Sequence, residues 1–242
     1  MEKTVTEAIR YRRSVRVFKS DIEIADEKVR QCIENAVLAP TSSNLQLWEF
    51  YHITDADTLK KMTEACLGQN AAKTAKQLVV IVSRKDLWRR RAKANIEFIK
   101  ESIGPKQKSE YTRREKFALA YYQKVIPSIY FDFLGILGWL RFLVFHFIGL
   151  FRPIYKQVRL SDMRIVAHKS AGLAAQNFML GMAAIGYDTC PMEGSDTGRI
   201  KKILHLPRGA EITMVIGCGV RDEDGIYGSR FRVPFETVYR KI

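Results

Sequence analysis

Cysteine is scarce in this 242-residue chain, and the four present, Cys32, Cys66, Cys190 and Cys218, lie far apart with no CxxC pair. That spacing predicts neither a disulfide framework nor a zinc site, and it fits a reducing, cytoplasmic setting. The N-terminal stretch MEKTVTEAIRYRRSVRVF lacks the uninterrupted apolar run of a signal peptide, so export is not expected. No Gly/Ser-rich linker, internal repeat or compositional break divides the chain. With 47% hydrophobic residues it can bury a sizeable core, and residues 1–242 are expected to form a single domain. GxSxG, HExxH and Cys/His constellations are absent, and His52, His146, His168 and His205 show no ligand spacing. Acidic residues are the last shortage: 26 Asp and Glu against 40 Lys and Arg leave a net charge of +14. Such a balance favours an anionic partner: nucleic acid, a phosphate-bearing cofactor or an anionic membrane. Zinc-finger spacing, an RNP-like aromatic strand and a basic helix of readable register are all missing, which argues against a nucleic-acid binding module.

Apolar periodicity predicts a short helix over Val5 to Arg12 and a second over Ile24 to Ala39, stopped by Pro40. A strand follows from Trp48 to Ile53, then an amphipathic helix from Thr58 to Cys66 and a buried strand, LVVIV, from Leu78 to Val82. Arg84 to Lys116, rich in Lys and Arg, reads as two helices broken near Gly104-Pro105. A long helix with small residues is expected from Asp162 to Ile185, ended by Gly186, and a strand from Glu211 to Val220.

Chemistry concentrates in a few stretches. Arg12, Arg13, Ser14 and Arg16 bunch guanidinium forks and a hydroxyl, the donors a phosphate dianion takes, although a solvated basic turn has the same composition. Thr41, Ser42, Ser43, Asn44 and Gln46 form a polar loop suited to the edge of a heterocycle or to a capped turn. Between Cys190 and Gly194, Pro191 and Gly194 predict a structured loop whose backbone N–H groups face a flat polar ligand, unless it is a plain helix-to-strand connection. Near the end, Arg230 and Arg232 return basic charge that can join the N-terminal cluster.

In this order the motifs RRSVRVF (Arg12 to Phe18), APTSSNLQLW (Ala39 to Trp48), GMAAIGYDTCPMEGSD (Gly181 to Asp196) and SRFRVP (Ser229 to Pro234) resemble the FMN-dependent nitroreductase family. The second motif departs from the family pattern in having Leu47 where Pro is usual. The resemblance covers most of the chain apart from about 103–160, an inserted basic and hydrophobic helical segment. It implies an α+β fold, a central and mostly antiparallel sheet flanked by helices, in an intertwined homodimer with two FMN sites at the interface.

It further implies that Arg12, Ser14, Arg16, Arg230 and Arg232 lie at the FMN phosphate and ribityl chain, with Arg13 beside them. Thr41, Ser42 and Asn44 would reach the flavin of the other subunit, while Asn70 and Lys73, an Asn-x-x-Lys element, would contact the pyrimidine edge of the flavin. Pro191, Met192, Glu193 and Gly194 would cover one flavin face, with a Glu193 or Gly194 N–H toward N5. The implied activity is ping-pong hydride transfer from NAD(P)H through FMN to a nitroaromatic, a quinone or a similar electron-poor acceptor, without an obligate catalytic side chain. A same-fold flavin enzyme with another reaction, such as a dehydrogenase, dehalogenase or flavin-cleaving enzyme, carries the same motifs.

Ile129 to Phe151, IYFDFLGILGWLRFLVFHFIGLF, is long enough as one helix to cross a hydrocarbon layer. A single crossing is disfavoured, because motifs on either side must meet at one cofactor. A break at Gly135, Gly138 or Gly149 would instead fold it back. The readings left are core or dimer packing, and a lid or interfacial hairpin with basic flanks that suit an anionic membrane surface.

Overall fold

The computed structural model describes every residue of the chain except Leu134. Its centre is an antiparallel sheet of β1 (Trp48–Ile53), β2 (Gln77–Ser83), β3 (Asp188–Met192) and β4 (Glu211–Gly219), in the order β1-β2-β4-β3. Every residue of β2 is buried, which is why the sequence there is a continuous apolar run and not an alternating one. Leu78, Val80 and Val82 enter one core, while Val79 and Ile81 enter the core on the opposite face.

The second of those cores is roofed by α2 (Asp26–Ala36) and α9 (Leu160–Ala184). Phe178 and Met182 of α9 are fully buried there, each contributing roughly 1.5 to 3 kcal/mol of burial. The long helix ends as the sequence predicts. Gly186 has φ +89°, and the Gly186 and Tyr187 N–H groups donate to Ala183 and Met182 carbonyls at 3.2 and 2.9 Å. The first core is covered by α3 (Ala56–Ala65), α4 (Asn70–Lys73) and α10 (Thr197–Ile203), with Val15 and Phe18 from the chain that follows α1 (Val5–Tyr11). The fold is therefore α+β, with a sheet sandwiched between helical layers.

The remaining helices gather beyond the β1 end: α5 (Trp88–Ile103), α6 (Arg113–Ala120), α7 (Ile126–Tyr130) and α8 (Ile136–Ile148), with α11 (Phe235–Val238) in the C-terminal tail. Gly104, at φ +76°, breaks the basic segment where expected. A wide π-helical turn, Tyr121–Val125, joins α6 to α7. The apolar stretch from Ile129 breaks between Tyr130 and Ile136, with Gly135 at φ +83°. Arg141 on α8 folds back, donating to the carbonyls of Ser128 and Phe131 at 2.5 and 2.8 Å and so capping α7. Leu134 of this stretch lies outside the described residues. Among those described, no helix is long and apolar enough to cross a membrane.

α8 is amphipathic in the reverse sense. Its solvent-turned positions, Ile136, Trp139, Leu140, Leu143, Val144 and Phe147, follow helical spacing and contain no polar residue, and the stripe continues through Leu150 and Phe151. The half-buried side carries Arg141 and His146. Of the aromatics along this stretch, Phe131, Phe133, Trp139, Phe147 and Phe151 face outward. Phe142 and Phe145 are half-buried, and Tyr130 is buried in a small core with Leu45, Leu47 and Ile126.

Candidate functional site

Arg12 directly follows α1, where the chain leaves helical geometry and runs beside β3, bridging Ser14 to Thr189 in parallel. Val15 N–H donates to the Thr189 carbonyl at 3.1 Å, and Arg16 N–H to the Gly225 carbonyl at 2.7 Å. Two remote segments are thereby tied to this one. Arg230 donates to the carbonyls of Arg10 and Arg12 at 2.8 and 2.6 Å, and Arg13 donates to that of Gly228 at 2.6 Å. Burial lowers the pKa of the Arg12 guanidinium, and the neighbouring charges of Arg230, Arg232 and Arg13 lower it further. Among the described residues, none of Arg12, Arg13, Arg16, Arg230 and Arg232 is paired with a carboxylate. A cluster of like charge with this much backbone anchoring and no internal counter-ion is built for an external anion.

Thr189 and Ser195 flank the expected flavin-face stretch, and the hydroxyl of each is buried without a hydrogen-bond partner among the described residues. Buried orphan hydroxyls are costly, and a bound polar group would satisfy them. The stretch itself differs from the expected loop. Cys190, Pro191 and Met192 lie in β3, and the loop begins only at Glu193. Among the strands β3 pairs only with β4, its other side meeting the chain at the Ser14 bridge, so it is an edge strand, where a proline's missing N–H is tolerated. Glu193 and Gly194 are exposed beyond the strand end, and the Gly194 carbonyl accepts from Gln69 Nε2 at 2.7 Å. The Cys190 thiol, buried beside Arg16 and Arg12, has its pKa pushed up by that burial, against the pull of the two arginines.

Asn70 and Lys73 sit on α4 close to the same strand end. Asn70 Nδ2 donates to the Tyr227 hydroxyl at 3.0 Å, linking the helix to the C-terminal basic segment. α4 lies directly on the sheet: a Cβ at Gly217 of β4 would fall 2.6 Å from the Ala71 carbonyl oxygen, so that strand position admits only glycine at this distance.

The polar loop is elsewhere. Ser42 N–H donates to Ser170 Oγ on α9 at 3.3 Å, and Asn44 Nδ2 donates to Asn95 Oδ1 at 3.0 Å. Ser43 is held twice by the π-turn, through Tyr121 OH to its Oγ at 2.7 Å and Tyr122 OH to its carbonyl at 3.0 Å. Thr41 Oγ1 accepts from Gln46 N–H at 3.2 Å. Ser43, Asn44 and Gln46 all have positive φ, 53°, 48° and 48°, a costly conformation for residues with a Cβ. The chain thus brings Arg12, Ser14, Arg16, Arg230 and Arg232 together, and binds Asn70 to the same neighbourhood through Tyr227. Of the polar loop, Ser42 is joined to α9, Asn44 to α5 and Ser43 to the π-turn, while Thr41 bonds within the loop; these contacts do not include the arginines. Gln69, Thr189, Ser195, Tyr227 and the Tyr121-Tyr122 pair were not anticipated. Only the doubled tyrosine opposite a run of hydroxyls offered a sequence signal.

Likeness to known proteins makes this chain, with its basic anion cradle on the edge of a helix-sandwiched antiparallel sheet, an NAD(P)H-dependent flavin oxidoreductase with FMN as its cofactor. The family model described as the nitroreductase family matches residues 9–220, and the chain belongs to that family. Among similar proteins, Protein DrgA of Synechocystis sp. is 28% identical over 218 residues, covering 90% of this chain and 84% of the relative. An NADH dehydrogenase of Thermus thermophilus is 27% identical over 232 residues, covering 94% and 90%. In structure, the NADPH:FMN oxidoreductase of Vibrio harveyi complexed with NAD+ superposes with a TM-score of 0.62 at 17% identity, over 98% of this chain and 76% of that one. The matched span stops before Arg230 and Arg232, so their assignment rests on the contacts with Arg10 and Arg12.

Proposed function

We propose that the chain is an FMN enzyme that takes reducing equivalents from NAD(P)H and passes them to nitroaromatics, quinones or similar electron-poor acceptors, donor and acceptor alternating in one place. The observation that carries this reading is the uncompensated guanidinium cluster around Arg12. Arg12, Ser14, Arg16, Arg230 and Arg232, with Arg13 alongside, would hold the FMN phosphate and ribityl chain. FMN, when bound, supplies the two-electron relay between donor and acceptor.

The protein's own contribution is placement. Pro191, Met192, Glu193 and Gly194 would cover one flavin face, with a Glu193 or Gly194 N–H on the N5 edge, and Asn70 and Lys73 would serve the pyrimidine edge. Lys73 supplies a cation that favours negative charge there. Thr41, Ser42 and Asn44, in a loop held by α9, α5 and the π-turn, are proposed to complete the site of a partner subunit in a homodimer. The unpaired apolar stripe of α8 adds a location: a cytoplasmic enzyme peripheral to an anionic membrane, seated through 129–151.

The experiment is the visible spectrum of purified protein, followed by anaerobic titration with NADH and NADPH. About one FMN per chain and bleaching by a nicotinamide are expected, with parallel double-reciprocal lines when donor and acceptor are varied. Arg12→Ala combined with Arg232→Ala should lose most of the flavin, since each charge-assisted contact is worth about 1.5 to 3 kcal/mol. Colourless protein that FMN cannot reconstitute would sink the proposal.

A further inference from the structure

A cavity of about 350 Å³ lies between the polar loop and the inserted helices, within the size range of small-molecule sites. Its floor is buried and apolar, from Ile126, Tyr130 and Met163. Ser42 and Ser43 form one wall, where Ser170 takes the Ser42 N–H, and Tyr121 and Tyr122 take the Ser43 Oγ and carbonyl. Among the described residues no charged side chain lines it. Val125 and Tyr155, 39% and 49% exposed, mark the mouth. Such a mostly apolar space takes hydrocarbon in preference to a charged group.

The mouth also has a defined neighbour. Tyr155 is four residues beyond Phe151, the end of the apolar stripe, so the two lie within about 14 Å of each other. The stripe carries no charge, yet the segment Arg84 to Leu160 around it holds 17 Lys and Arg against 6 Asp and Glu, most of the chain's +14. A second copy seated on this face would oppose one basic rim to another. An anionic bilayer complements both features, apolar stripe toward the acyl chains and cations toward the headgroups.

We infer that the cavity holds the hydrocarbon tail of a bilayer-borne quinone, whose ring then lies toward the Ser42-Ser43 wall, and that the α8 stripe seats the mouth at the membrane. The inference rests on the flavin-oxidoreductase reading. In the net reaction the quinone gains two electrons and two protons. NAD(P)H supplies a hydride equivalent and water the second proton, giving hydroquinone and NAD(P)+.

The test compares a decyl-tailed benzoquinone with the tail-free ring, using the flavin-loaded protein. By calorimetry the tailed compound should bind at least tenfold more tightly to wild type. Val125→Trp, at the exposed mouth, and Val166→Phe, on the wall, should each abolish that preference while leaving tail-free binding unchanged. With the tailed quinone presented in phosphatidylglycerol vesicles, Leu143→Glu combined with Phe147→Glu should cut turnover at least tenfold, and turnover of the same quinone dispersed in detergent should stay at the wild-type rate. Equal affinity for the two quinones, an unchanged preference in both cavity variants, or undiminished turnover from vesicles overturns the inference. If neither quinone oxidises NAD(P)H, the functional reading fails, while calorimetry still decides whether the cavity takes the tail.

Discussion

Asp188 has a side chain only 1% exposed, and its charge is tolerable because Arg221 surrounds it. Arg221 Nε and Nη2 donate to Oδ1 at 2.9 and 2.5 Å, its backbone N–H donates to Oδ2 at 2.9 Å, and its guanidinium lies 4.1 Å from the centre of the Tyr11 ring. Burial and the Asp188 charge together push the Tyr11 hydroxyl pKa up. Asp188→Asn leaves Arg221 without its counter-charge and is expected to cost about 3 kcal/mol in denaturant unfolding, with Arg12 displaced as α1 loosens. Glu211 gives a pH signature. Burial raises its pKa, but hydrogen bonds from Arg164 and His168 outweigh burial and hold it below its ordinary 4.5. A depressed carboxylate stabilises the fold above its unfolded pKa and ceases to as pH falls through the folded one. Wild type should therefore exceed Glu211→Gln in denaturant midpoint at pH 7, and the gap should close below about pH 4.5. The arginines of the site were legible in the sequence because all five lie in two short motifs, RRSVRVF and SRFRVP. Asp188 with Tyr11, and Gln69 with Gly194, were not, because each pair is separated by more than a hundred residues and neither partner is unusual locally.

Elements were legible where periodicity was strong. β1 occupies the expected residues, β2 extends the expected strand by one at each end, and α9 ends at the glycine that predicted its end. β3 was misread as a loop because Pro191 and the nearby Gly194 signal a turn locally, and only an edge position in the sheet makes the proline acceptable. The π-turn at Tyr121–Val125 has no sequence signature at all, since one extra residue in a helical turn leaves the apolar pattern almost intact. Gly217 shows how an element can be positioned by an absence. Gly217→Ala would drive a methyl against the Ala71 carbonyl, so α4 must lift from the sheet. We expect a lower thermal midpoint and weaker FMN retention, with Asn70 and Lys73 carried away together. Gly172→Ala, which meets no atom within 4 Å, is the control that should change neither.

At the scale of the molecule, two helical layers enclose the sheet, while the inserted helices and the C-terminal tail lie outside that sandwich. The composition announced the sandwich, through enough apolar residues in the right periods, and it announced an anionic ligand through charge. It did not announce which surfaces one chain leaves uncovered. From Ser229 to Ile242 every residue is exposed, although Phe231, Val233, Phe235, Val238, Tyr239 and Ile242 are among them. That much apolar surface, on a tail that still anchors Arg230 to the N-terminal segment, is what a covering partner would remove from water. Where a covering partner is a second copy, mass action sets the melting temperature. The apoprotein should then melt higher as its concentration is raised a hundredfold, and a chain truncated after Gly228 should melt at one temperature whatever its dilution. A concentration-independent midpoint in the full chain would mean that the tail is not covered by a copy of itself.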